Sequence, residues 1–110
     1  MNNSLILIGR LTKEAEIKKV GEKKFTKITI AVPRQFKNAD GVYETDFFEI
    51  ILWGLIAESA VDYCRKGDLI GIRGRLQTRT IESKDGTKKQ VTEIIGEKVT
   101  FLSASNKNSE

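Results

Sequence analysis

The chain has 110 residues, 39% hydrophobic and 31% charged, with a net charge of +4, one cysteine and no histidine. That is one globular domain, large enough to build a core without disulfides. An internal disulfide and any Ser-His-Asp or Cys-His catalytic site are excluded, and the apolar runs are too short for a helix to cross a bilayer.

Residues 4–11, SLILIGRL, follow no basic region and precede no small-residue cleavage site, so they read as a strand rather than a signal peptide, and the cytosol is the expected compartment. Residues 16–20 alternate and form a short strand, and VGEKK turns the chain. Residues 24–32, KFTKITIAV, are a strand with Ile28, Ile30 and Val32 on one side and Phe25, Lys27, Thr29 and Ala31 on the other. Pro33 lacks an N–H and is expected to end regular pairing, leaving FKNADGVY, with Phe36, as a loop. Residues 43–53 form the next strand: Phe48, Ile50 and Leu52 take the core side, while Phe47, Glu49, Ile51 and Trp53 take the other.

Residues 55–65, LIAESAVDYCR, are the one good helix, with Ile56, Ala60, Tyr63 and Cys64 sharing a face, Arg65 and Lys66 at its C-terminal dipole, and Gly67 in the left-handed position beyond. Residues 69–80 and 88–102 are strands joined by a hairpin with Asp85-Gly86 at its tip, and Gly96 marks a bulge. The polar residues 103–110 are expected to be a disordered tail after a 1–102 domain. The pattern is all-β: a five-stranded Greek-key barrel with one helix between the third and fourth strands, compatible with an OB-fold and with other small barrels.

Three features point to a ligand. Phe47 and Trp53 share a strand face, where bases could stack or where another layer or subunit could pack. Phe36 stands between Arg34 and Lys37, an interleaving of rings and cations suited to a single nucleic-acid strand. Arg73, Arg75 and Arg79 alternate with core-side residues and carry no acid in their row, and guanidinium pairs bidentately with phosphate. Lys84, Lys88 and Lys89 add charge at the hairpin tip. Cys64 reads as a small buried helix residue, and neither a metal site nor a cofactor is indicated.

In order along residues 3–102, LILIGRLTKEAE, ETDFFEIILWG, YCRKGD, GIRGRLQTR and KDGTKKQVTE resemble the bacterial single-stranded DNA-binding protein family. The resemblance implies an OB-fold, usually a homotetramer. It implies sequence-independent binding and protection of single-stranded DNA in replication, repair and recombination, in the cytoplasm with the nucleoid. It implies neither enzymatic activity nor a membrane or small-molecule partner. Phe36, Phe47 and Trp53 match the family's stacking aromatics, and Arg10, Arg34, Lys37, Lys66, Arg73, Arg75 and Arg79 lie in segments that carry backbone contacts. Ile81 and Gln90 stand where the family often has aromatics, so the hairpin is expected to contribute mainly charge. Glu49 stands where a neutral or basic group is usual, and the end SASNKNSE lacks the family's acidic tip, as expected either of a truncated chain or of a naturally short relative. Two other functions compatible with the barrel are a primosome-type adaptor that binds a helicase or initiator, and a barrel that binds protein or oligosaccharide.

Overall fold

The computed structural model describes residues 1–105. Its elements are β1 (Leu5–Leu11), β2 (Lys18–Val20), β3 (Lys23–Lys37), β4 (Tyr43–Trp53), α1 (Gly54–Tyr63), β5 (Leu69–Glu82) and β6 (Lys88–Ser103). The strands hydrogen-bond in the order β1-β5-β6-β4-β3-β2, and a further β1–β3 pairing closes the ring. The closed barrel is therefore β1, β3, β4, β5 and β6, with β2 an edge strand on β3 and α1 between the third and fourth barrel strands. This is the OB architecture.

Side-chain alternation fills the barrel. Ile28 and Ile30 of β3, Ile50 and Leu52 of β4, and Ile70 and Ile72 of β5 are buried almost completely. Each such aliphatic side chain contributes about 1.5–3 kcal/mol on burial. The helix packs onto this cluster through Ala57, Ala60 and Cys64. These sit at i, i+3 and i+7, and their small size lets the helix lie close.

Several expectations change. The helix starts one residue earlier and ends two residues sooner, at Tyr63. Tyr63 is exposed rather than part of the packed face, because the buried stripe runs through residues 57, 60 and 64. Arg65 does serve the helix end: its Nη1 donates to the Val61 carbonyl (3.1 Å). Gly67, at φ +92°, belongs to the following turn, which the Asp68 N–H closes by donating to the Arg65 carbonyl (3.0 Å).

Pro33 does not end its strand. Pairing continues through Pro33↔Thr45, becomes irregular, and resumes at Lys37↔Tyr43. β1 pairs with β3 only at Ala31 and Ile30, so one edge of β3 is open from Val32 onward. An open edge with an irregularity is where a residue without an N–H is tolerated. Phe36 thus lies in a protruding β3–β4 arm, not in a loop.

The last strand runs to Ser103, and the Ser105 N–H donates to the buried Asp68 carboxylate (3.0 Å). The strand therefore extends past the expected boundary at 102, and the rest of the expected tail, 106–110, lies outside the described residues. The bulge expected at Gly96 is present: Arg73 faces Lys98 and Gly74 faces Gly96, leaving Glu97 as the extra residue.

A Cβ on Gly96 would strike a Leu52 methyl group in the core, and one on Gly74 would strike the Ile95 carbonyl oxygen. Gly96→Val is therefore expected to destabilise the barrel by about 1–3 kcal/mol through overpacking, read as a lower urea midpoint; an unchanged midpoint would show that the core yields there.

Candidate nucleic-acid interface

β4 is hydrogen-bonded on both sides, antiparallel to β3 and parallel to β6. Its outward residues fall in register with those of β3: Phe47 faces Ala31, Glu49 faces Thr29, Ile51 faces Lys27 and Trp53 faces Phe25. Phe47 is 65% exposed and Trp53 40% exposed. Ile51, expected on the same open face, is buried. It forms the floor of a cleft of about 330 Å³, whose walls include Phe25, Lys27, Trp53 and Arg79.

Phe25 is a participant that the sequence analysis did not single out. Its ring centroid lies 5.1 Å from that of Trp53, with the planes tilted by 37°. Such a pair braces the indole, which stays 40% exposed. The even spacing of Phe25 from Lys27, and the odd spacing of both from the buried Thr26, Ile28 and Ile30, is the available signal. Tyr43 is a second addition: it is exposed, and Lys37 Nζ lies 5.7 Å from its ring centroid. Phe36, on the same arm, is 78% exposed and does not fold back on the barrel.

Three of the guanidiniums, those of Arg34, Arg75 and Arg79, are paired. Arg34 donates from Nε and Nη2 to Asp46 (2.9–3.2 Å) and from Nη1 to Glu44 (2.7 Å), clamping β3 to β4 at the base of the Phe36 arm. Arg75 Nε lies 3.2 Å from Glu97, and its Nη1 donates to Gln77 (2.8 Å). Arg79 Nε donates to Glu93 (2.9 Å). The row Arg73–Arg79 has no acid of its own, but β6 supplies two. Arg73 is also set apart from the cleft: it lines a patch with Ile6, Ile8 and Leu102 on the outer face of β1, β5 and β6.

Arg10 shares a cross-strand row with Ala31 and Phe47, and its Nη1 donates to the Gly67 carbonyl (2.9 Å). Lys66 follows the helix, its N–H held by Glu14 (2.6 Å). Lys84, Lys88 and Lys89 are exposed at the tip of the β5–β6 arm. The tip itself is ordered by Asp85, whose carboxyl is lowered to about 2 by the Ser83 hydroxyl and the Thr87 N–H that donate to it. Burial pushes the Cys64 thiol up, which suits packing rather than nucleophilic chemistry. Among the described residues no cluster of His, Cys, Asp or Glu could hold a metal.

A closed OB barrel whose sheet face carries exposed rings beside cations belongs to the class of oligonucleotide-binding barrels. The model of the single-strand binding protein family matches residues 2–102, and the chain belongs to that family. It is 47% identical over 109 residues to the single-stranded DNA-binding protein of Clostridium tetani, covering 97% of this chain and 74% of that one. It is 40% identical to single-stranded DNA-binding protein B of Bacillus subtilis, covering 93% of this chain and 91% of that one. Among solved structures, one described as "Plasmodium falciparum SSB complex with ssDNA" superposes with a TM-score of 0.75 at 28% identity, covering 93% of this chain and 96% of that one.

The Arg34 hydrogen bond holds the Asp46 carboxyl below the ordinary carboxylate range. A carboxyl lowered in the folded state stabilises above its unfolded value, about 4, and that contribution is lost as pH falls through the lower folded value. Amide-exchange protection in residues 34–46 should therefore drop as pH is lowered below about 4 while that of the barrel strands persists; equal loss in both would show that Arg34–Asp46 does not hold the arm.

Proposed function

We propose that this protein binds and shields single-stranded DNA irrespective of its overall sequence, in replication, repair and recombination. The observation that carries this reading is the outward presentation of Phe47 and Trp53 on a rigid β4, in a barrel of the single-strand binding protein family. Bases stack on Phe47, Trp53 and Phe36, each stacked base contributing about 1–3 kcal/mol. Phosphates run along Arg10, Lys37, Lys66 and the tip lysines Lys84, Lys88 and Lys89. Arg34, Arg75 and Arg79 join them by exchanging a carboxylate for a phosphate, and Arg73 lies toward the outer patch. The protein holds a strand and performs no chemistry on it, and it works in the cytoplasm on nucleoid DNA. No helix among the described residues is long and apolar enough to cross a membrane.

The patch of Ile6 (73% exposed), Ile8 (53%) and Leu102 (46%) supports self-association. It is a flat sheet face with aliphatic residues in the open, which a second copy would cover. The proposed assembly is a homotetramer. Sedimentation should show it, with Ile8→Glu shifting the population toward smaller species; a wild-type monomer at micromolar concentration would refute it.

Trp53 is the one tryptophan in the sequence, so its fluorescence reports the site alone. Oligo-dT should quench it strongly and duplex DNA little, and Trp53→Ala should weaken oligo-dT binding by about 1–3 kcal/mol. A silent Trp53 with unchanged affinity would point instead to a protein-binding adaptor.

A further inference from the structure

β4 and β6 carry five carboxylates: Glu44, Asp46, Glu49, Glu93 and Glu97. Four of them lie 2.7–3.2 Å from an arginine nitrogen. Glu49 is the exception: among the described residues it has neither an ion-pair nor a hydrogen-bond partner. It is exposed and flanks Phe47 in the cleft that Ile51, Thr92 and Glu93 also line. On its other side is a cleft lined by Lys13, Lys18 and Lys27 and by two further acids, Glu14 and Glu16; none of the lysines closes on Glu49. An unpaired carboxylate beside a ring meant for a polyanion would weaken binding unless it meets donors on the bases.

We propose that Glu49 reads base edges at the Phe47 platform, favouring bases that present an exocyclic amino group, guanine above all, over thymine. The proposal rests on the single-strand binding reading above. Residues i and i+2 of a strand stand about 7 Å apart on one face, so a base lying on the Phe47 ring turns an edge toward Glu49. Guanine offers N1–H and N2–H side by side, a match for Oε1 and Oε2. Cytosine and adenine each offer one amino donor, and a carboxylate accepting from cytosine N4 is a known pairing. Thymine offers only N3–H, flanked by two carbonyl oxygens that repel the carboxylate. Glu93, the other acid in this cleft, is paired with Arg79 in the free protein, whereas Glu49 is not. Opposite Glu49 on β3 stands Thr29, which is uncharged.

The test uses labelled strands of about 12 nucleotides: all-dT, all-dC, and dT interrupted by isolated dG. Binding is read by anisotropy at one fixed salt for the wild-type protein, Glu49→Gln and Glu49→Ala. The preference for the dG-containing strand over all-dT should be at least about fivefold greater in the wild type than in either variant, with all-dC between. Equal strengthening of all three strands by both variants would make Glu49 a repelling charge and overturn the proposal, as would unchanged ratios. Failure of the wild-type protein to bind any of the strands would overturn the single-strand reading itself.

Discussion

The two-sided pairing of β4 is the constraint on which the rest depends. A strand held by β3 on one side and β6 on the other cannot slip, since a one-residue shift would move Ile50 and Leu52 out of the core and Phe47 and Trp53 into it. The burial of the aliphatic set thus determines where the rings stand. The platform stands on a packed core, and Trp53 is further braced by Phe25.

The electrostatics of the face follow a different logic. The guanidiniums at 34, 75 and 79 are paired with carboxylates across neighbouring strands. Those pairs are partly exposed and individually worth little to stability. A phosphate that takes over such a guanidinium displaces a carboxylate rather than small ions. The tip lysines and Lys27 face solvent, where their charge reaches furthest toward an approaching polyanion.

The alternation of residues 47–53 was legible from the sequence because a strand has only two faces. Burial of Ile51 was not, since it depends on Ile95 and the curl of the β5–β6 arm, which no local pattern encodes. Phe25 was assigned the correct face, but its contact with Trp53 depends on the register of two strands. The acids that neutralise the arginine row lie some 14 to 22 residues downstream on another strand, and a row read alone looks uncompensated. Pro33 misled for a complementary reason: its missing N–H forbids a place in the middle of a sheet, and the open edge that accommodates it exists only because β1 stops pairing at Ala31. Tyr63 was placed on the packed face by approximate periodicity, and small neighbours decided otherwise.

The two arms stand clear of the barrel: the radius of gyration is 16.0 Å, against about 13 Å for a compact domain of this length. The β5–β6 arm ends in a self-contained turn at Ser83–Thr87 that draws nothing from the barrel. Its reach can therefore vary independently of the core, but only in even steps. Two residues added to each strand between barrel and tip would lengthen it by about 7 Å with every side chain on its present face. One residue added to each would exchange the faces of Lys88 and Lys89, which as neighbours in the strand point to opposite sides. Length variation in this segment is accordingly quantised by the pleat, and a parity change would exchange the arm's two faces while leaving the barrel core as it stands.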